Sequence, residues 1–320
     1  KMPIVKSSFK ALPIFRSGFI STVYSGLLRR LKIKQIRERI TLRDGDFIDL
    51  DWSYSSTPSK SVIILFHGLE GHGQRPYITG AALHFNKNNS DAICVNFRCC
   101  SGELNRFYSS YHSGKTDDLE DIIQHVVSLN KYDSIFLKGI SLGGNIVLKY
   151  LGDGSIVPPQ VKAAMAVSVP CDLSGSAKKL HKFKNLPYHI NFKWGLVQRL
   201  KLKQKKFPQA ISKSQIRAIR TLNDFDEVYT SRAHGFENAQ DYYKKCSSLQ
   251  FLKTIQTPVL ILNALNDSFL SEACYPYKDV DANPMLHLET PDRGGHVGFI
   301  SRKGYYYNET RALEFFLECK

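Results

Sequence analysis

Gly139-Ile140-Ser141-Leu142-Gly143 is the stretch that decides the fold. It fits the pattern G-x-S-x-G and stands between a strand-like run, Ser134 to Gly139, and a helical run, Gly143 to Leu151. A strand that turns this sharply into a helix holds its serine in a strained backbone conformation, and the flanking glycines relieve the clashes side chains would cause. The hydroxyl then stands above the C-terminal edge of a sheet, at a helix N-terminus whose dipole favours developing negative charge. The plain alternative is a serine in an ordinary strand-to-helix turn; the surroundings favour a nucleophile.

Outward from this turn, strands and helices alternate. Toward the N-terminus lie Ser61 to Phe66, a continuous apolar run ending in His67-Gly68, then a helix starting near Pro76, the strand Asp91 to Phe97 and the helix Asp117 to Leu129. Apolar runs of this length are expected where both faces of a parallel strand are buried. Glu38 to Leu42 and Phe47 to Tyr54 flank Asp44-Gly45-Asp46 as a hairpin. Toward the C-terminus comes the strand Ala163 to Val169, after which the alternation breaks. Residues 172–248 are helical, basic and aromatic; strands resume at Pro258 to Asn263 and Met285 to Leu288, and a helix from Tyr305 to Cys319 follows. Such alternation predicts βαβ units with right-handed crossovers. Four segments result: a basic amphipathic lead over 1–36, a core over 37–171, a helical insertion over 172–248 and the rest of the core over 249–320.

With 320 residues, 42% hydrophobic and 23% charged, the composition is that of a globular enzyme-sized chain. Lys and Arg outnumber Asp and Glu by 44 to 29, and the basic residues concentrate between Arg29 and Arg39 and between Lys178 and Lys206. Both clusters are interleaved with apolar residues, as on a solvated helix face. Seven cysteines without metal-type spacing predict reduced thiols and a cytoplasmic location. The apolar stretch after Lys1, Lys6 and Lys10 is interrupted by Arg16 and Ser17, so no export signal is read, and no run approaches a membrane span.

A serine nucleophile needs a base, a carboxylate to orient that base, and donors for the oxyanion. The chain order Ser, acid, His selects His296, which lies after the last strand in Arg293-Gly294-Gly295-His296-Val297-Gly298-Phe299. For the acid, Asp267 follows the strand Pro258 to Asn263, Asp172 is the rival after the preceding strand, and Asp292 is too near His296 in sequence. The amide of Leu142 supplies one oxyanion donor, and the turn His67-Gly68-Leu69-Glu70-Gly71 a second, assigned to Leu69. No His, Cys and carboxylate set has metal spacing, so no metal and no cofactor are assigned.

A further set of residues reaches beyond the triad: His67 to Tyr77 (HGLEGHGQRPY), Asn96-Phe97-Arg98, Ser101-Gly102-Glu103, Asn105-Arg106, Tyr111 to Gly114, Asp117-Asp118-Leu119, and Gly139 to Tyr150 (GISLGGNIVLKY). Phe225-Asp226, Asp241-Tyr242-Tyr243 and the segments around Asp267 and His296 extend it, from about Arg37 onward. In these residues the sequence resembles the YheT-like branch of the α/β-hydrolase superfamily, relatives of the mammalian abhydrolase-domain phospholipases. Cys99 stands where the family's run has glycine. The resemblance implies an α/β-hydrolase fold: a mostly parallel eight-stranded sheet flanked by helices, with a helical cap insertion. It also places the family's triad on Ser141, Asp267 and His296.

The expected activity is cleavage of carboxylic esters through an acyl-enzyme. Acyl transfer or thioester hydrolysis on the same triad is the alternative, and an idle basic binding module is a third reading. The insertion is expected to cap Ser141 with an apolar acyl pocket that includes Leu186, Phe192, Trp194 and Leu196, its lysines facing outward. Expected partners are a small-molecule or lipid-like ester and, peripherally, an anionic membrane; nucleic acid is not expected. Arg75, Arg106, Tyr111 and His112 are read as braces for active-site loops rather than headgroup ligands, and Asp117-Asp118 as acids at a helix start.

Overall fold

The computed structural model describes residues 3–25, 29, 31–301 and 304–319; residues 1, 2, 26–28 and 30 of the basic lead and 302, 303 and 320 of the last segment lie outside them. In chain order the strands are β1 (Ile4–Val5), β2 (Ile36–Thr41), β3 (Phe47–Ser53), β4 (Ser61–Phe66), β5 (Asp91–Asn96), β6 (Ser134–Ile140), β7 (Val161–Val167), β8 (Val259–Leu262) and β9 (Leu286–Glu289). They form one sheet in the order β1-β9-β8-β7-β6-β4-β5-β3-β2, parallel except where β3 runs against β2 and β5. This is the α/β-hydrolase fold. The sheet has nine strands, not eight, because Ile4–Val5 adds itself in parallel to β9; two residues are too few for any periodicity to announce.

Helices α1 (Gly18–Val23), α2 (Pro76–Lys87), α3 (Thr116–Ser128) and α4 (Leu142–Gly152) come first, and α5 (Leu173–Leu180), α6 (Leu186–Lys206), α7 (Lys213–Ala218), α8 (Leu222–Phe225), α9 (Ser231–Ala233) and α10 (Ala239–Cys246) lie between β7 and β8. The chain then adds α11 (Tyr277–Ala282) and α12 (Tyr307–Glu318). Every residue of β4 is buried, and alternate side chains serve opposite layers. Val62, Ile64 and Phe66 pack with Leu119, Ile122 and Ile123 of α3 and Ile146 of α4, while Ile63 and Leu65 pack with Ile78 and Phe85 of α2 and Phe315 and Phe316 of α12. The continuous apolar run thus reflects burial on both faces.

Helices α5 to α10 form a cap with a core of its own, in which Leu196, Leu200, Ile211, Ile216, Ile219, Leu222, Phe225 and Tyr229 are buried together. Leu69 of the sheet-edge loop packs against both this core and the main one. Two side chains tie distant parts of the chain together. Arg29 pairs with Glu309 of α12 in a buried contact, and Arg98, 1% exposed, is bidentate to Asp118 at 2.6 and 2.7 Å. Asp118 lies in the first turn of α3, as expected, but its partner is this buried guanidinium and not only the helix dipole.

Candidate active site

Register places the site. Phe66 pairs with Gly139 and Gly139 with Ala166, so the loops leaving β4, β6 and β7 meet at one sheet edge. Ser141 follows β6 at φ 54°, ψ −118°, a region that costs a side-chain-bearing residue energy unless its surroundings impose it. They do: its amide donates to Val167 O at 2.8 Å, and its carbonyl accepts from Asn145 N at 3.1 Å. Glycine is required on both sides, since a Cβ at Gly139 would lie 2.3 Å from Gly143 O and one at Gly143 2.5 Å from Phe66 O.

His296 and Asp267 meet at 2.8 Å, Nδ1 to Oδ2. Because a carboxylate only accepts, Nδ1 is the donor of this bond, and in the neutral imidazole the lone pair is then on Nε2. Asp267 has no exposed side-chain surface, and its other oxygen accepts from Phe269 N at 2.9 Å. The Phe269 ring lies 4.3 Å from the imidazole, centroid to centroid. The rival carboxylate is engaged elsewhere: Asp172 caps α5 by accepting from Gly175 N at 3.1 Å and from Ser271 Oγ at 2.9 Å.

Ser141 and His296 line the same cavity, of about 300 Å³, together with Leu142 and Leu69. Leu142 opens α4, where first-turn amides have no acceptor within the helix. Leu69 is held from one side by His67, whose Nε2 accepts from Phe97 N at 3.2 Å, leaving the Nδ1 proton for Gly68 O at 2.8 Å. Burial pushes the His67 imidazole down to about 3, so it stays neutral. A trans peptide sets its N–H opposite its C=O, so fixing Gly68 O turns the Leu69 amide the other way. A Cβ on Gly68 would meet Ser141 Cβ at 3.1 Å, which places this loop against the nucleophile.

The cavity has an apolar part, including Leu173, Leu180, Phe192, Leu196, Leu222 and Phe225, and a polar part with Glu70, Arg75, Tyr111, Arg199 and Asp226. Glu70 pairs with Arg199 of α6 at 2.8 Å and accepts from Tyr111 Oη at 3.1 Å. Its carboxyl is nevertheless raised by burial, against the pull of Arg199. Burial also raises Asp226 to about 6, although Thr230 and Tyr243 both donate to it. Among the described residues no group of three His, Cys, Asp or Glu is placed to hold a metal ion.

Two expectations about the cap need correcting. Trp194 and Leu186 do not reach the cavity: Trp194 is 64% and Leu186 40% exposed on the outer side of α6, while Phe192 and Leu196 do line it. The lysines do not all face outward either. Lys203 is 1% exposed and donates to Phe107 O and Ser109 O, and Lys206 donates to Asn105 O. Of the polar residues carried by the resemblance, Arg106 braces a turn through Gly45 O and Arg75 braces Glu70 O. Arg75, Tyr111 and His112 also line the cavity. Cys99, at φ 63°, occupies a conformation suited to glycine.

Other residues of the site carried no sequence signal. In α1, Thr22 Oγ1 accepts from His296 N at 2.9 Å and Ser21 Oγ donates to Gly294 O at 3.2 Å. Ser168 Oγ accepts from Val297 N at 3.1 Å. Single hydroxyls like these are set by contacts across more than a hundred residues, which no local pattern records.

Residues 61–303 match the family model for the α/β hydrolase fold. YheT of Escherichia coli (strain K12), named as an esterase, is 32% identical over 92% of this chain and 88% of its own length. The human phospholipase ABHD3 is 29% identical over 82% of this chain and 66% of its own. Among solved structures, the Pyrococcus furiosus esterase Pf2001 superposes with a TM-score of 0.61 at 15% identity, covering 90% and 92% of the two chains, a likeness of fold. The chain therefore belongs to the α/β-hydrolase family, in the branch of YheT, and is an ester hydrolase of the esterase and lipase kind.

Proposed function

We propose that the protein cleaves carboxylic esters through an acyl-enzyme on Ser141, with His296 as base and Asp267 as its orienting carboxylate. The observation that carries this reading is the hydrogen bond from His296 Nδ1 to Asp267, with the imidazole and Ser141 on one cavity. His296 Nε2 takes the Ser141 proton as Oγ attacks the ester carbonyl. The oxyanion that forms is held by the Leu142 and Leu69 amides. His296 then protonates the leaving alkoxide, and water repeats the sequence in reverse to release the acid. Replacing water by an alcohol gives acyl transfer, and a thioester enters the same cycle.

The substrate assigned to this site is a medium-chain or lipid-like ester whose acyl chain lies along Phe192, Leu196, Leu222 and Phe225. Each methylene buried there contributes about 0.8 kcal/mol, roughly fourfold in kcat/KM. The test is a series of p-nitrophenyl esters from acetyl to octanoyl beside labelling with a fluorophosphonate. Rising specificity with chain length and labelling lost in Ser141→Ala support the reading; a wild-type enzyme that neither labels nor turns over any ester overturns it.

The partner assigned to the cap's outer face is an anionic lipid surface. From Leu173 to Asn223 the chain has 13 Lys and Arg and no Asp or Glu. On α6, Leu186, Ile190 and Trp194 follow one another at intervals of four residues, all exposed, with exposed Lys201 and Lys205 continuing the same side. No described helix is long and apolar enough to cross a membrane. Cys94, Cys99, Cys100, Cys171, Cys246 and Cys274 are buried thiols, which supports a reducing compartment, the cytoplasm.

A further inference from the structure

Glu70 is the residue next to the assigned oxyanion donor Leu69, and it is held from every side. Its amide donates to Tyr111 Oη at 3.0 Å, its carbonyl accepts from Arg75 Nη2 at 3.0 Å, and its backbone stands at φ 55°. Its carboxylate bridges core and cap: Tyr111 Oη donates to Oε1 at 3.1 Å, and Arg199 Nη1 of the cap donates to the same oxygen at 2.8 Å. One turn earlier in the same helix stands Gly195, near the middle of the 21 residues of α6. Glycine weakens a helix interior relative to alanine. Here it has a use: a Cβ at Gly195 would lie 2.4 Å from Glu70 Oε2. Gly195 and Arg199 thus form a notch in α6 that the Glu70 carboxylate occupies.

The Leu69 amide lies between two anchored neighbours. On one side Gly68 O is fixed by the Gly71 amide at 3.0 Å and by His67. On the other, the Glu70 backbone is fixed by Tyr111 and Arg75 and its carboxylate by the cap. Resting on the serine-hydrolase reading above, we propose that Glu70 in the Gly195–Arg199 notch is a positioning residue. It couples the seating of the cap to the aim of the Leu69 N–H at the oxyanion. An oxyanion donor contributes only when it is already aimed at the developing charge. With the notch empty, the loop loses its anchor to the cap and the donor is less well aimed, whatever the length of the acyl chain.

The experiment compares Arg199→Met, Arg199→Lys and Gly195→Ala on acetyl and octanoyl p-nitrophenyl esters. Arg199→Met is expected to lower kcat about 10-fold on both esters with KM nearly unchanged, a fraction of the roughly 10²–10³ lost with a whole oxyanion donor. Arg199→Lys keeps the charge without the fork and recovers part of it. Gly195→Ala is expected to lower kcat likewise while its melting temperature stays equal or rises. A merely structural glycine would not separate these two readouts. The proposal is overturned if kcat on the acetyl ester is unchanged and the loss is confined to KM for the octanoyl ester, which would make Arg199 a wall of the acyl pocket. It is also overturned if Gly195→Ala turns over like wild type, a result that decides the matter even where Arg199→Met does not fold. Fluorophosphonate labelling of the wild-type enzyme reports separately on the serine reading: without labelling that reading fails, whatever the clasp does.

Discussion

The turn around Ser141 and the helix α6 both line the cavity and answer to different physics. The turn is fixed locally: a buried strand, two glycines where an added Cβ would lie within 2.5 Å of backbone atoms, and a helix start leave one conformation. In α6 the direction of each side chain is fixed by what the helix rests on. Phe192, Leu196 and Leu200 face inward, Leu186, Ile190 and Trp194 outward, so apolar residues occupy two sides and their spacing alone does not choose the buried one. A site built on a strained turn is rigid and readable; a pocket built on a cap depends on tertiary contacts such as Glu70 with Arg199.

If that contrast is right, substitutions in the turn and its partners should cost far more than substitutions in the cap. Ser141→Ala should lower kcat by roughly 10⁴ to 10⁶ with the fold intact, since the oxyanion donors remain. A circular dichroism spectrum and melting curve like wild type, beside the lost turnover, would check this. Next comes the carboxylate pair. Asp267→Asn should lower kcat by roughly 10⁴ because the amide no longer enforces the tautomer with Nε2 unprotonated. Asp172→Asn should leave kcat within about threefold and cost at most about 1 kcal/mol as a change of helix cap. A large catalytic loss at Asp172 with none at Asp267 would move the acid.

Within the cap, the two sides of α6 should separate by assay. Phe192→Ala should reduce kcat/KM for octanoyl esters by roughly 10-fold and acetyl esters little, in line with the apolar area withdrawn from the chain. Trp194→Ala should leave the chain-length series unchanged. A flattened series in the tryptophan variant would mean that α6 sits differently on the core. The smallest effect is expected at the surface: Ile190→Glu with Trp194→Glu should weaken sedimentation with phosphatidylglycerol-containing vesicles several-fold and leave turnover of a soluble ester unchanged. Binding that weakens with salt fits the lysines. Equal binding to pure phosphatidylcholine, or a preference for duplex DNA over the vesicles, would contradict the lipid assignment.

The same contrast explains what the sequence made legible. Strand Ser61–Phe66 is found at its expected bounds because burial on both faces leaves an uninterrupted apolar run. His296 and Asp267 could be placed by strand order, and the structure brings them within 2.8 Å. Thr22, Ser168 and the inward turn of Lys203 were not legible, because each is decided by a partner far away in the chain. The notch at Gly195 left a trace, a glycine in mid-helix, whose meaning appears only once Glu70 is seen to fill it. Strand β1 left none, since an edge pair of two residues borrows its order from β9.

The most direct test of the triad is to react the wild-type enzyme with a fluorophosphonate and map the adduct by peptide mass spectrometry. The account predicts a single adduct, on Ser141, formed at a rate that falls by orders of magnitude in His296→Ala. An adduct on another residue, or labelling of Ser141 that proceeds undiminished without His296, would contradict it.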